Sequence, residues 1–111
     1  MQFCSHSSAA RAGVDNLTKS LAIEWAHSGV RVNSVAPSSV LTENAVALYG
    51  KDTFNNRVPG IPAKRLCSVE EVSAAVIYLL CPAASYISGA TLKVDGGLSL
   101  YSLKDFIVSG E

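Results

Sequence analysis

The apolar positions in the first quarter of the chain follow a helical repeat. Spacings of three or four residues place them on one stripe of an α-helix: Val14, Leu17, Leu21 and Trp25. The repeat predicts a helix over Ala9–His27. Ser28-Gly29 follows it, and Gly29 can adopt the left-handed conformation that ends many helices.

The next run is short, mostly apolar and rich in valine, which predicts a β-strand covered on both faces over Val30–Ala36. Pro37 is expected to end that strand. The segment Ser38–Leu66 has no sustained period, apart from a short helical pattern around Val46–Leu48. A proline- and glycine-rich loop follows at residues 59–62.

A second helix has the clearest start and stop signals in the chain. Ser68 and Glu71 form the pattern of a capping box, and Pro82 prevents the helix from continuing. Between them, apolar residues recur at helical spacing: Val72, Ala75, Val76, Leu79 and Leu80. A second short strand, Thr91–Val94, then leads into a turn with two glycines.

Strands separated by helices indicate an α/β fold with a parallel sheet. Two strands provide only the edges of such a sheet, and a typical sheet has about 5–6 strands. The chain also has no glycine-rich turn from a strand into a helix, which is where doubly wound folds bind phosphate. We therefore expect residues 1–111 to be the C-terminal part of a Rossmann-like, doubly wound parallel sheet of three α/β/α layers, without the N-terminal cofactor-binding half.

Charge and composition exclude several functional classes. Nine basic and nine acidic residues give no net charge, so nucleic acid and anionic membranes are not expected partners. No apolar run approaches the roughly 18 residues of a membrane span. Three cysteines without metal-ligand spacing are expected to be free thiols. His6 and His27 are likewise not expected to bind a metal.

The quoted elements resemble the C-terminal half of a short-chain dehydrogenase/reductase. The resemblance covers Ser5–Leu100 and rests on three motifs in the order typical of that family: "AARAGVDNLTKSLAIEW", "RVNSVAP" and "SGATLKVDGG". Within the family, "HSSAARAGVDNLTKSLAIEW" and "IPAKR" are most similar to trans-2-enoyl-CoA reductases of peroxisomes, followed by 2,4-dienoyl-CoA reductases.

The resemblance implies a catalytic pair on the first helix. Members of the family place a tyrosine there, with a lysine one turn later that binds the nicotinamide ribose and lowers the pKa of the tyrosine. Ser7 and Arg11 occupy these two positions. Ser7 is a poor proton donor by itself, although acyl-CoA reductases of the family also lack the tyrosine. Arg11 keeps the positive charge but does not release a proton.

Two other interpretations of this helix stay open. Asp15 and Lys19 have the same spacing and provide an alternative alignment, and Ser7 is also a residue type that caps helices. The resemblance further implies that the segment after the first strand binds the nicotinamide and pyrophosphate of NADP(H): Pro37, Ser38, Ser39, Val40 and Thr42. Ser38 stands where the family usually has glycine, and it would be strained if the site required a positive φ.

By resemblance, the function is NADP-dependent reduction of trans-2-enoyl-CoA in fatty acid metabolism, with Thr42–Arg65 covering an acyl-CoA substrate. Residues 1–111 alone are expected to be inactive, and the full-length form is expected to be a homo-oligomer. The alternatives are a non-catalytic oligomerisation fragment, a 2,4-dienoyl-CoA reductase and a 3-oxoacyl reductase. The resemblance implies a peroxisomal location, with the cytoplasm or mitochondria as alternatives.

Overall fold

The computed structural model describes residues 5–103, and the side chains of residues 5–100. Cys4 and most of the C-terminal tail therefore lie outside the described residues. Four helices and two strands follow one another along the chain: α1 (Ser5–Glu24), β1 (Ser34–Pro37), α2 (Glu43–Tyr49), α3 (Lys51–Asn55), α4 (Val69–Leu80) and β2 (Thr91–Val94). Short 3₁₀ segments connect several of them.

Helix α1 ends earlier than the apolar stripe predicts. It stops at Glu24, and a 3₁₀ turn over Ala26–Ser28 continues the chain in place of the predicted final α-helical turn. The N–H of Gly29 donates to the carbonyl of Ala26 at 3.0 Å, and Gly29 has the predicted left-handed conformation with φ 73°. The tighter turn satisfies carbonyl groups that an α-helix leaves unpaired at its end.

The two strands are adjacent and parallel, as predicted. Ser34 N–H donates to Ala90 O at 2.9 Å, and Ser38 N–H donates to Val94 O at 3.1 Å. Both partners advance by four residues in the same direction, which is the register of a parallel pair. The sheet of the described residues has the order β1-β2.

The predicted boundaries of the first strand are wrong at both ends. It begins at Ser34 instead of Val30, because its partner at this level is a turn containing left-handed Gly89, not an extended chain. It includes Pro37, which was expected to follow the strand. Ser34 and Ser38 direct their N–H groups to β2, so the N–H that Pro37 lacks would point to the other edge and costs no ladder bond.

The connection between the strands contains more helix than the sequence pattern predicts. α2 includes the expected Val46–Leu48 segment, whereas α3 was not predicted. The capping box of α4 is confirmed: Ser68 Oγ accepts from Glu71 N–H at 3.2 Å, and Glu71 Oε2 accepts from Ser68 N–H at 2.9 Å. These reciprocal bonds satisfy two N–H groups at the start of the helix.

The chain folds into two compact units. Of the described residues, the first contains 5–35 and 77–92, and its buried residues are Thr18, Ala22, Leu79 and Ala84. The second contains 36–76 and 93–103, and its buried apolar residues are Phe54 and Ile61. Each core is small, and many large apolar side chains are exposed, among them Ile23, Leu48, Leu80 and Tyr86. Across residues 5–103, no helix has the length and apolar character needed to cross a membrane.

Candidate functional site

The two residues predicted to be catalytic lie on α1, four residues apart. This spacing places the side chains of Ser7 and Arg11 on the same helix face, one turn from each other. Ser7 is partly exposed and Arg11 is exposed. The helix therefore presents a hydroxyl and a guanidinium side by side, as the predicted pair requires, and their catalytic roles stay a prediction.

The alternative pair on the same helix has structural partners. Lys19 Nζ lies 2.8 Å from Asp15 Oδ2, and Asp15 Oδ1 accepts a hydrogen bond from Thr91 Oγ1 of β2. Thr91 Oγ1 is also 2.9 Å from Ser34 Oγ of β1. The bonds from Lys19 and Thr91 hold the pKa of Asp15 below its ordinary value. This carboxylate links α1 to β2 directly and to β1 through the hydroxyl of Thr91.

The loop predicted to bind the cofactor begins at the carboxyl end of β1, which is where ligands bind in open α/β sheets. Ser38 occupies the position where the family usually has glycine, and the φ of Ser38 is not positive. Among the described non-glycine residues, only Lys64 has a positive φ. The strain considered for Ser38 is therefore absent from this loop.

Hydrogen bonds fix the loop to the segment that precedes α4. Leu41 N–H donates to Cys67 O at 3.0 Å, and Cys67 N–H donates to Ser39 O at 3.1 Å. These bonds form an isolated parallel bridge between Val40 and Cys67. The bridge lies outside the two strands of the sheet, and it orients the peptide groups of the candidate site.

Thr42 ends the loop and begins the next helix. Its Oγ1 accepts from Ala45 N–H at 3.1 Å, so it is the N-cap of α2. The hydroxyl proton of Thr42 remains available for donation. Within residues 5–103, the N–H groups of Val40 and Thr42 also take no protein partner. The loop thus offers donors that fit a carboxamide or a phosphate, although three other N–H groups of the same loop are used internally.

A cleft of about 320 Å³ lies beside this loop, and its wall includes Ser38, Cys67, Glu71 and Asp95. Arg65 binds the carboxylate of Glu71 with two bonds, of 2.6 and 2.9 Å. This pairing, together with the capping bond from Ser68, lowers the pKa of Glu71 to about 2.

Two other side chains that line the cleft, Cys67 and Asp95, have pKa values shifted by their surroundings in the protein. Burial raises the pKa of the Cys67 thiol, and the Glu71 carboxylate raises it further, so the thiol stays protonated at neutral pH. The Asp95 carboxylate accepts from Gly97 N–H and Ser99 N–H at 3.0 and 2.9 Å, and the bonds from Ser99 are the main cause of its lowered pKa. Cys67 and Cys81 are free thiols.

The sequence did not indicate the partners of Asn33 or any role for Arg57. Asn33 forms two hydrogen bonds with the turn before β2, and Arg57 approaches Ser39 in the candidate loop. Asn33 belongs to a motif that carries the resemblance, but its partners are distant in sequence. Arg57 lies in the irregular segment, where no periodic pattern indicates a role. The described part of the chain contains no group of three or more His, Cys, Asp or Glu side chains placed to bind a metal ion.

Comparison with known proteins identifies related chains over almost the whole sequence. A sequence profile of the family described as enoyl-(acyl carrier protein) reductase matches residues 1–99. Glucose 1-dehydrogenase 2 of Bacillus subtilis is 39% identical over 94 residues, which is 85% of this chain and 36% of that protein. A peroxisomal 2,4-dienoyl-CoA reductase of Saccharomyces cerevisiae is 40% identical over 97 residues, covering 86% of this chain and 33% of the reductase. The chain thus spans about a third of the length of these relatives.

Solved structures support the same relationship. Acetoin dehydrogenase from Salmonella typhimurium superposes with a TM-score of 0.77 at 33% identity, covering 91% of this chain and 38% of the dehydrogenase. A protein from Agrobacterium tumefaciens, designated a candidate 2-deoxy-D-gluconate 3-dehydrogenase and solved with NADP bound, superposes with a TM-score of 0.76 at 42% identity. That superposition covers 83% of this chain and 38% of the other. The parallel strands, the helices between them and these matches show that the chain belongs to the short-chain dehydrogenase/reductase family, in the group described as enoyl-(acyl carrier protein) reductase.

Proposed function

We propose that this chain forms the nicotinamide-binding and substrate-binding part of an NADP(H)-dependent reductase that acts on trans-2-enoyl-CoA. The observation that carries the proposal is the loop Pro37–Thr42. It leaves the carboxyl end of β1, is fixed to Cys67 by the bridge at Val40, and keeps the Thr42 hydroxyl proton and two N–H groups for a ligand. The NADP bound to one structural relative supports this choice of cofactor.

The chemistry follows from what each group can supply. A bound NADPH would supply a hydride to the β-carbon of the substrate. The electron pair of the double bond would then move to the thioester oxygen as an enolate, NADP⁺ would remain, and the α-carbon would take up a proton from water. In this proposal Arg11, exposed on α1, provides the positive charge that the family uses to hold the nicotinamide ribose.

The serine at position 7 favours an enoyl substrate over a carbonyl substrate. Reduction of a ketone requires an acid at the carbonyl oxygen, and a serine hydroxyl has a pKa too high for this role without help. Reduction of a conjugated double bond places the proton on carbon, and the enolate needs only stabilisation by hydrogen bonds. Ser7 can donate such a bond.

Other members of the family support alternative substrates. Sugar and polyol dehydrogenases match at similar identities. The match to a 2,4-dienoyl-CoA reductase supports a 2,4-dienoyl-CoA as the second candidate substrate, and a 3-oxoacyl substrate stays an alternative that rests on the resemblance alone. A peroxisomal location is supported by the yeast and mammalian dienoyl-CoA reductases. The exposed apolar residues of α1 and α4 support a homo-oligomer. A non-catalytic role in oligomerisation would use the same surfaces.

A chimera tests the proposal. In the chimera, residues 5–99 replace the matching segment of the Bacillus subtilis glucose dehydrogenase. The name of that enzyme gives a sugar substrate and not an acyl-CoA. We expect the chimera to oxidise NADPH with crotonyl-CoA, and the unmodified dehydrogenase to fail with it. A folded chimera that binds NADPH and turns over acetoacetyl-CoA or hexadienoyl-CoA, but not crotonyl-CoA, would contradict the enoyl assignment.

The 111-residue chain is assayed beside the chimera. We expect no turnover, because positioning the two reactants can account for roughly 7–11 kcal/mol of the barrier, and the described residues provide donors for only part of a dinucleotide. Turnover of crotonyl-CoA by residues 1–111 would contradict this expectation.

A further inference from the structure

An arginine from the irregular segment lies against the candidate cofactor loop. The Nη1 of Arg57 is 3.5 Å from the Oγ of Ser39, one residue before Val40. The guanidinium carbon stands over the ring of Phe54, 5.9 Å from its centroid. Phe54 is buried, with 5% of its surface exposed, and its ring meets Tyr49 edge to face.

This arrangement holds a positive charge in place before a ligand binds. A guanidinium on the face of an aromatic ring is attracted by the ring electrons. Because the Phe54 ring is buried and packed against Tyr49, it is a fixed support. An arginine side chain held in this way loses less conformational entropy on binding than a mobile surface arginine does.

Two other cations of the same segment, Lys64 and Arg65, already have protein partners. Lys64 Nζ donates to Pro59 O at 2.7 Å, and Arg65 is bound to Glu71 through two bonds. The ion pairs between described side chains are Lys19–Asp15 and Arg65–Glu71, so Arg57 has no carboxylate partner among them. Its charge therefore remains available to an anion at the loop.

We propose that Arg57 binds a phosphate group of the ligand held by the loop Pro37–Thr42. The fork of an arginine matches two phosphate oxygens. Ser39 accepts from Arg57, so its own hydroxyl proton can be donated to the same phosphate. Together with the Val40 and Thr42 N–H groups, these donors form an anion site on one loop. The proposal rests on the proposed function, because it takes that loop as the ligand site.

Two ligands of the proposed reaction carry the required group. NADPH has a pyrophosphate, and coenzyme A thioesters have a pyrophosphate and a 3′-phosphate. The experiment titrates the 111-residue chain with NADPH, with coenzyme A, and with pantetheine, which lacks the phosphates. Binding is followed by heteronuclear NMR, with the amide signals of residues 38–42 as the reporters.

Three variants are compared with the wild-type chain. R57Q removes the charge and R57K keeps the charge without the fork. R31Q is the matched control, because it removes the same charge from an arginine that donates to Ile87 O in the first compact unit. We expect R57Q to weaken binding of at least one phosphate-bearing ligand about ten- to a hundredfold, R57K to weaken it less, and R31Q to leave it unchanged. The ligand that responds to R57Q identifies the source of the phosphate, and pantetheine should not respond.

Several outcomes would overturn the proposal. They are the absence of binding of both phosphate ligands to the wild-type chain at millimolar concentration, equal affinities of R57Q and wild type, and an equal loss in R31Q. If the NMR spectrum shows that R57Q is unfolded, the affinity of R57K is compared with that of wild type instead. Equal affinities would then contradict the proposal. The test is independent of turnover. Failure of the chimera to reduce crotonyl-CoA contradicts the proposed function, whereas an unchanged affinity in R57Q contradicts only the role of Arg57.

Discussion

The side-chain oxygen of Asn33 accepts a hydrogen bond from the N–H of Ala90 at 3.0 Å, at the start of the sheet. The amide nitrogen of the same side chain donates to Ile87 O at 2.9 Å. One amide group therefore satisfies both ends of the turn that leads into β2. Arg31, which donates to Ile87 O at 3.2 Å, closes the same turn from a second position.

Replacing Asn33 with alanine should lower the free energy of unfolding by about 1–3 kcal/mol, because the partly buried N–H of Ala90 loses its acceptor. Ile87 O loses one of its two donors and keeps the bond from Arg31. Urea denaturation followed by circular dichroism measures this change. N44A, at an exposed position of α2, is the matched control and should change stability by less than about 0.5 kcal/mol. Equal stability of N33A and N44A would contradict the role of Asn33.

The pair Arg65–Glu71 should give the chain an acid-sensitive component of stability. The pKa of Glu71 is lowered from its ordinary 4.5 to about 2 in the folded chain. The stabilisation by the ionised carboxylate is therefore complete above about pH 4.5 and is lost as the pH falls toward 2. E71Q should be less stable than wild type at pH 7, and the difference should shrink at pH 2.5.

Denaturant titrations at several pH values provide the measurement, with E70Q from the same turn of α4 as the control. The control should follow the wild-type pH dependence. A difference between E71Q and wild type that is constant from pH 7 to pH 2.5 would show that the charge of Glu71 contributes nothing to folding.

Gly96 should tolerate a methyl group less well than Gly29 does. Both glycines have a positive φ, of +58° and +73°, so alanine meets backbone strain at each position. At Gly96 the added Cβ would also lie 3.0 Å from Ala63 Cβ and 3.1 Å from Ile61 Cγ2, whereas at Gly29 nothing lies within 4 Å. We expect G96A to be less stable than G29A by about 1–3 kcal/mol in thermal or urea unfolding. The reverse order would contradict the close packing described for Gly96.

Thr42 should stabilise α2 through its hydroxyl and not through its size. T42V keeps the volume but removes the N-cap acceptor, which should cost about 0.5–2 kcal/mol. T42S keeps the hydroxyl and should retain the cap. Amide chemical shifts of residues 43–49 report the helix, and a helical pattern in T42V equal to that in T42S would contradict the prediction.

The sequence predicts most of the regular structure of this chain, because local chemistry determines it. The apolar stripe of α1, the Ser68–Glu71 box and the β2 segment all depend on neighbours within a few residues. The start of β1 could not be predicted in this way. It depends on Gly89 and the turn before β2, and no local pattern indicates that these residues face Val32.

The same distinction between local patterns and contacts distant in sequence applies to the candidate site. The loop after β1 could be placed from the end of the strand, and its residues are continuous in sequence. Its fixation by Cys67 and its contact with Arg57 depend on side chains and backbone groups brought together by folding. The spacing of Ser7 and Arg11 could be read from the helix, but their chemistry depends on ligands.

The pairing of β1 with β2 has a kinetic consequence. Ser34 and Thr91, whose hydroxyls meet at 2.9 Å, are 57 residues apart in the chain. Closing a loop of this length costs entropy before any sheet contact repays it. The helices between the strands need only local contacts and can form within about a microsecond. We therefore expect the sheet to form last, so that during refolding the amide of Ser34 gains protection from hydrogen exchange after the amides of α4 do.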